Sequence, residues 1–199
     1  MIKKILLVTL IFVTLGVAQE TPLQKVLKRI ENEPVSMKFN LSIFWAIREK
    51  TEKKKGSLLL GGDDQFRVTL GESSWISDGV VVWQYSKKNR QVVIKNFLDL
   101  DASMLPSSIF DRFNSRTFSK VKEVDDTYYT YRDSKDLEYK RIDIQLTKNK
   151  QNIESILFVD TDDNESKYIF SDIKFLKNVD SSEFKFTAPD GVEVFDERN

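Results

Sequence analysis

Apolar residues recur at alternate positions along most of this chain, and two stretches interrupt that rhythm with helical spacing. The first opens at Thr21-Pro-Leu-Gln24, where Thr21 suits an N-cap, Pro22 the first helical position and Gln24 the far side of a capping box. Leu23, Val26, Leu27 and Ile30 then form one apolar stripe. Pro34 disfavours helical geometry in the residue before it, so the helix is expected to stop by Glu33. From Val35 the period becomes two: Val35, Met37, Phe39, Leu41, Ile43, Trp45 and Ile47 predict one long strand. Arg48 to Lys55 reads as a charged connection. Leu58-Leu-Leu60 after Gly56, and Phe66, Val68 and Leu70 after the Gly61-Gly-Asp-Asp64 turn, predict two further strands.

Trp75 to Tyr85 reads as a hairpin about Asp78-Gly79, a dipeptide that tolerates the positive φ angles of a two-residue turn. Val81, Trp83 and Tyr85 share one face of its second strand, and Val80, Val82 and Gln84 share the other. After a turn at Lys87 to Asn89 comes a strand at Val92-Val-Ile94. Met104, Leu105, Ile109, Phe110 and Phe113 then recur at helical intervals, which predicts a short helix or two within a long connection. Strands resume at 117–124, 127–132, 137–146, 153–159 and 167–175. The apolar phase slips between Tyr139 and Ile142, and again between Phe170 and Ile173. A β-bulge explains each slip, and bulges bend sheets. The tail from Phe184 to Phe195 reads as two short extended pieces around a Pro-Asp-Gly turn. Short turns imply antiparallel pairing. The expected fold is therefore mainly β, a curved antiparallel sheet with short helices laid over one side.

The first residues stand outside that domain. Lys3-Lys4, the apolar run from Ile5 to Val17 and the small residues Gly16-Val-Ala18 have the pattern of a secretory signal peptide. Residues 1–18 are expected to be cleaved after Ala18, leaving 19–199 as a single exported domain. Without Lys3 and Lys4, 29 basic residues face 31 acidic ones, a net charge of −2 that offers nothing to nucleic acid.

The chain has no cysteine and no histidine, which removes the thiol nucleophile, the commonest general base and the commonest metal ligand. A non-enzyme without cofactor or metal is expected. Asp160-Thr-Asp-Asp-Asn164 spaces its acids like a calcium loop, but that loop needs glycine sixth and glutamate twelfth. Glu165 and Ser171 stand there, so a hairpin turn is the better reading. The basic run of Arg48, Lys50, Lys53, Lys54 and Lys55 reads as a solvated hairpin end, with docking onto an acidic partner or anionic headgroups as the alternative. The 14 Phe, 6 Tyr and 3 Trp carry more information. Seven alternate apolar residues on the Val35–Ile47 strand need a long apolar partner, and the two helical stretches supply only part of it. The remainder faces a cavity or a second protein.

Several of these residues together resemble the LolA family of periplasmic outer-membrane lipoprotein carriers. They are the amphipathic helix, the Val-Ser-x-x-Phe strand start at Val35, Gly56 before its apolar strand, Phe66-Arg67, Ser77-Asp78-Gly79 with Trp83-x-Tyr85, and Phe186-Thr-Ala-Pro-x-Gly-Val-Glu-Val194. The resemblance spans the mature chain. It implies an incomplete, unclosed β-barrel roofed by helices, with lipoprotein acyl chains held in the apolar hollow. It also implies a monomer in the periplasm that takes cargo from an inner-membrane ATP-driven releasing complex and yields it to an outer-membrane receptor or the outer membrane. Under this reading the hollow is lined by Phe39, Leu41, Ile43 and Trp45, by Leu58, Leu60, Phe66 and Val68, and by Val81, Trp83 and Tyr85. Its lid is formed by Leu23, Val26, Leu27, Ile30, Met104, Leu105, Ile109 and Phe110. Members of the family place an arginine, important for release, where this chain has Gly61-Gly-Asp-Asp64, so no release residue carries over. Two rival readings are a regulatory sensor of the same fold that binds a membrane-protein partner, and a carboxylate hydrolase.

Overall fold

A computed structural model describes residues 20–100, 113, 116–120 and 127–198. Its first element is the expected helix, α1 (Pro22–Asn32). The Thr21 hydroxyl accepts from the Gln24 amide, and the Gln24 side chain accepts from the Thr21 amide, so both halves of the capping box form. Leu23, Val26, Leu27 and Ile30 are all buried.

Twelve strands follow among the described residues: β1 (Val35–Trp45), β2 (Lys50–Leu60), β3 (Gln65–Leu70), β4 (Ser73–Asp78), β5 (Val81–Ser86), β6 (Gln91–Asn96), β7 (Ser119–Lys120), β8 (Tyr128–Arg132), β9 (Tyr139–Leu146), β10 (Ile153–Asp160), β11 (Glu165–Phe175) and β12 (Glu193–Asp196). They make one sheet in the order β12-β6-β5-β4-β3-β2-β1-β11-β10-β9-β8-β7. β1 is its centre, because the chain meanders outward to β6 and later returns to pair β11 with the other side of β1. All pairs are antiparallel except β12 with β6. That parallel edge is absent from the turn-by-turn sequence reading, since nothing local links residues a hundred positions apart.

Both predicted slips are bulges. Asp172 takes a φ of 53° where the β1–β11 register shifts, and the β9–β10 register shifts between Val159 and Asp160. The Arg48–Lys55 segment differs from expectation. It is extended from Lys50 onward and pairs with β1 residue by residue, from Trp45 opposite Lys50 to Asn40 opposite Lys55. Ladder hydrogen bonds to β1 override the weak strand preference of lysine and glutamate. The hairpin after β4 also moves by one residue: Ser77 pairs with Val82, so Gly79 and Val80 are the central pair and Gly79 takes a φ of 92°. Met104, Leu105, Ile109 and Phe110, like the signal-peptide stretch, lie outside the described residues.

Gly56 matters for packing. The Phe39 ring lies over it, and a β-carbon there would sit 2.6 Å from both Phe39 Cε2 and Thr69 O. Gly56→Val is expected to cost about 2 kcal/mol through overpacking, read as a lower denaturant midpoint with unchanged slope.

Candidate functional site

Register fixes which side chains share a face, because residues directly opposite in antiparallel strands point the same way. One row runs Leu41, Tyr168, Ile156, Ile144 and Tyr129 across β1, β11, β10, β9 and β8. On the other side of β1, Met37 faces Leu58, then Val68, then Trp75. These rows and the α1 stripe belong to one apolar cluster that also takes in Phe113 and Phe118. α1 reaches both Met37 and Phe175 near the middle of the sheet and Tyr129 near its edge, so the sheet curls around the helix. This is the inner face.

The inner face is not sealed to the same degree everywhere. Under α1, between Val26, Ile30, Met37, Phe170 and Phe175, the gap has a volume of about 10 Å³, room for a single water. Arg29 lies 3.7 Å from the centre of the Phe175 ring and adds a cation–π contact there. An open groove of about 850 Å³ separates the other side of α1 from Phe113 and from Arg116 to Phe118. Leu23, Leu27, Phe113 and Tyr129 line it together with Glu20, Gln24, Lys28, Glu31 and Arg116. Ile43, Val68, Leu70, Trp75, Tyr168 and Phe170 pack against the core while staying half-exposed.

Aromatic rings run through this region in a connected series. Phe170 is 6.2 Å from Tyr168, Tyr168 is 6.1 Å from Phe158, and Phe158 stacks on Phe113 at 6.1 Å. Phe113 meets Phe118 edge-on at 5.7 Å, and Phe118 lies 5.9 Å from Tyr131. Large flat side chains with offset contacts present much apolar area and few polar atoms.

One buried polar cluster holds Arg116 against the β8–β9 turn. Arg116 Nε donates to Asp136 Oδ2 at 2.8 Å and Arg116 Nη2 to Glu138 Oε2 at 3.1 Å. The side chains of Arg116 and Asp136 are only 11% and 8% exposed. The Tyr131 hydroxyl also donates to Asp136, and the Glu138 and Tyr139 amides donate to its other oxygen. Burial opposes ionisation of Asp136. The Arg116 guanidinium, the two amides and the Tyr131 hydroxyl outweigh it and hold the carboxyl well below the usual carboxylate range.

Of the residues expected to line a hollow, the structure brings most to the inner face. Leu23, Val26, Leu27, Ile30, Phe39, Leu41, Leu58, Leu60 and Phe66 are buried in the apolar cluster, with Ile43 and Val68 at its margin. Trp45 ends β1 opposite Lys50, half-buried and outside that cluster. Val81, Trp83 and Tyr85 are a correction: they point to the opposite face. Trp83 shares a row with Ile76 and Ile94, and Val82 is the β5 residue that joins the inner cluster. The C-terminal segment covers that opposite face. Arg67 Nε donates to Glu183 O at 2.7 Å and Arg67 Nη2 to Lys185 O at 2.9 Å, while Phe186 lies 5.1 Å from Tyr85. With valine on both faces of β5, alternation could not choose between them. The two tryptophans that flank the turn consequently face opposite ways.

Inner-face residues that the sequence reading passed over come from the second half of the sheet: Tyr129, Ile142, Ile144, Ile156, Phe158, Tyr168 and Phe170. Their alternation is visible in the sequence, but their position opposite β1 is not.

The architecture defines a class: a mainly β protein with one unclosed, curved sheet and an apolar inner face beneath a helix. The family model described as outer membrane lipoprotein carrier protein LolA matches residues 35–187, and the chain belongs to that family. It is 27% identical over 203 residues to an outer-membrane lipoprotein carrier protein of Francisella philomiragia, covering 98% of each chain. Among solved structures, an uncharacterized conserved protein of Thermus thermophilus superposes with a TM-score of 0.54 at 14% identity, over 88% of this chain and 97% of that one. A LolA superfamily protein of Nitrosomonas europaea superposes with a TM-score of 0.42 at 10% identity, over 82% and 97%.

Proposed function

We propose that this protein shelters the acyl chains of lipoproteins on its inner face and carries them through the periplasm from the inner to the outer membrane. The observation that carries this reading is the half-exposed series of apolar and aromatic side chains beside a helix that roofs only part of the sheet. Each methylene kept from water is worth about 0.8 kcal/mol, so an acyl chain crosses an aqueous space only in such a shelter. Family membership and the Francisella relative's name point to the same cargo. In this reading the protein is a carrier and not a catalyst. It is exported by residues 1–18, receives cargo from an ATP-driven releasing complex and delivers it to a receptor or the outer membrane.

Release follows from the same geometry. α1 meets the sheet through one stripe of four apolar residues, and such a contact can exchange against cargo chains without unfolding the sheet. The test is to incubate protein purified from a periplasmic extract, with its N-terminus at Gln19, with inner membranes loaded with lipoprotein. A soluble one-to-one complex with lipidated cargo is expected. Cargo that stays wholly in the membrane fraction would overturn the proposal.

A further inference from the structure

The β1–β2 hairpin extends past its neighbour β3. β2 meets β3 only from Gly56 onward, and the amide of Gly71 bonds Lys55 O as the last backbone link. Among the described residues, Lys50 to Lys55 therefore form a free sheet edge about 17 Å long. Arg48, Lys50, Lys53, Lys54 and Lys55 are all exposed, and none lies within ion-pairing reach of a carboxylate among the described residues. The nearby acids are Glu49 and Glu52 on the hairpin, Glu72 next to the Gly71 amide that bonds Lys55 O, and those of the 160–165 turn, which the Ala46 amide joins by donating to Asn164 Oδ1 at 3.0 Å. Several of the turn's carboxylates are already engaged. Asp163 binds Lys140, Glu165 lies 3.9 Å from Arg141, and Asp160 accepts from the amides of Asp162 and Asn164.

Lysines on a free edge guard against sheet-to-sheet aggregation, which accounts for Lys53 to Lys55 on its own. It does not account for the apex. The Glu49 amide bonds Ala46 O and Glu49 takes a φ of 48°, so Ile47 and Arg48 are the outermost two residues of the turn. Ile47 is 89% exposed, an apolar side chain held out at the tip beyond the cations strung along β2. A guard against association would not place isoleucine there.

We propose that this hairpin tip docks on the anionic phospholipid headgroups of a bilayer, with Ile47 entering the interface and the cations behind it drawn to the phosphates. Basic charge flanking an exposed apolar residue complements a headgroup layer. This inference does not rest on the acyl-shelter reading, because docking is measured on cargo-free protein.

The test is co-sedimentation of the purified protein with vesicles of phosphatidylglycerol and phosphatidylethanolamine, against phosphatidylcholine vesicles, at low and high salt. Binding is expected to the anionic vesicles alone and to weaken with salt. K53Q/K54Q/K55Q is expected to weaken it roughly a hundredfold. Ile47→Asn is expected to weaken it roughly tenfold with the salt dependence kept. K174Q/K177Q, exposed at the far end of β1 from the tip, where Lys174 lies opposite Ser36, serves as the control and should bind as the parent does. Equal binding to neutral vesicles, no binding to either, hairpin variants that bind like the parent, or a control as weak as the hairpin variants would each overturn the proposal.

Discussion

Replacing Asp136 by alanine is expected to destabilise the protein by about 3 kcal/mol, lowering the melting temperature by roughly 6–12 °C. The substitution leaves the Arg116 guanidinium 11% exposed and without its nearest carboxylate, while Tyr131 and two amides lose their acceptor. Arg116 keeps its bond to Glu138, so the loss comes from the broken buried pair and from the stranded Tyr131 and amide donors. The double substitution Arg116→Met with Asp136→Leu should recover only the part of the loss due to the buried guanidinium, because Tyr131 and the two amides still lack their acceptor. Differential scanning calorimetry of the parent, the single and the double variant separates these outcomes. A single variant within about 0.5 kcal/mol of the parent would show that the cluster contributes nothing.

The same cluster sets an acid limit. The folded-state pKa of Asp136 lies below its unfolded value. Its contribution is therefore fully present above the ordinary aspartate value near 4 and is lost as pH falls from there toward the folded value. Denaturant midpoints should drop below about pH 4 in the parent and drop less steeply in Asp136→Asn.

A carboxylate placed on the inner face should abolish cargo binding. Phe170→Glu puts a charge between Phe39 and Tyr168, whose ring centres lie 6.4 and 6.2 Å from that of Phe170. If acyl chains lie along this surface, an apolar fluorescent probe and lipidated cargo should both bind at least about tenfold more weakly, since each displaced methylene forfeits about 0.8 kcal/mol. Ile169→Glu is the matched control. It is the preceding residue, points to the opposite face and is 47% exposed, so it should leave binding unchanged. Two variants that bind the probe like the parent, with unaltered circular dichroism, would place the cargo elsewhere.

Local signals in the sequence carried much of this structure. The capping box at Thr21 to Gln24, the stripe on α1, the alternation of β1 and both bulges are set by residues within a few positions of each other. Sequence resemblance reached the family as well, because the Ser-Asp-Gly…Trp-x-Tyr segment and the Phe-Thr-Ala-Pro-x-Gly-Val ending are short and specific.

What alternation could not supply was the sign of each face. Val81, Trp83 and Tyr85 look as suited to the interior as Val82, and their outward direction depends on Phe184 and Phe186 arriving from a hundred residues downstream. In the same way Lys50 to Lys55 looked like a loop until β1 offered it a ladder of hydrogen bonds. Arg116 and Asp136, twenty residues apart and ordinary in isolation, become a buried pair only once β8 and β9 fold together. The sequence by itself thus determined α1, most of the described strands, both bulges and the family. The tertiary structure decided which face of β5 is the inner one, which strand edge stays free and which charges are buried. Those outcomes depend on distant segments covering one surface and leaving another bare, and no local spacing encodes that.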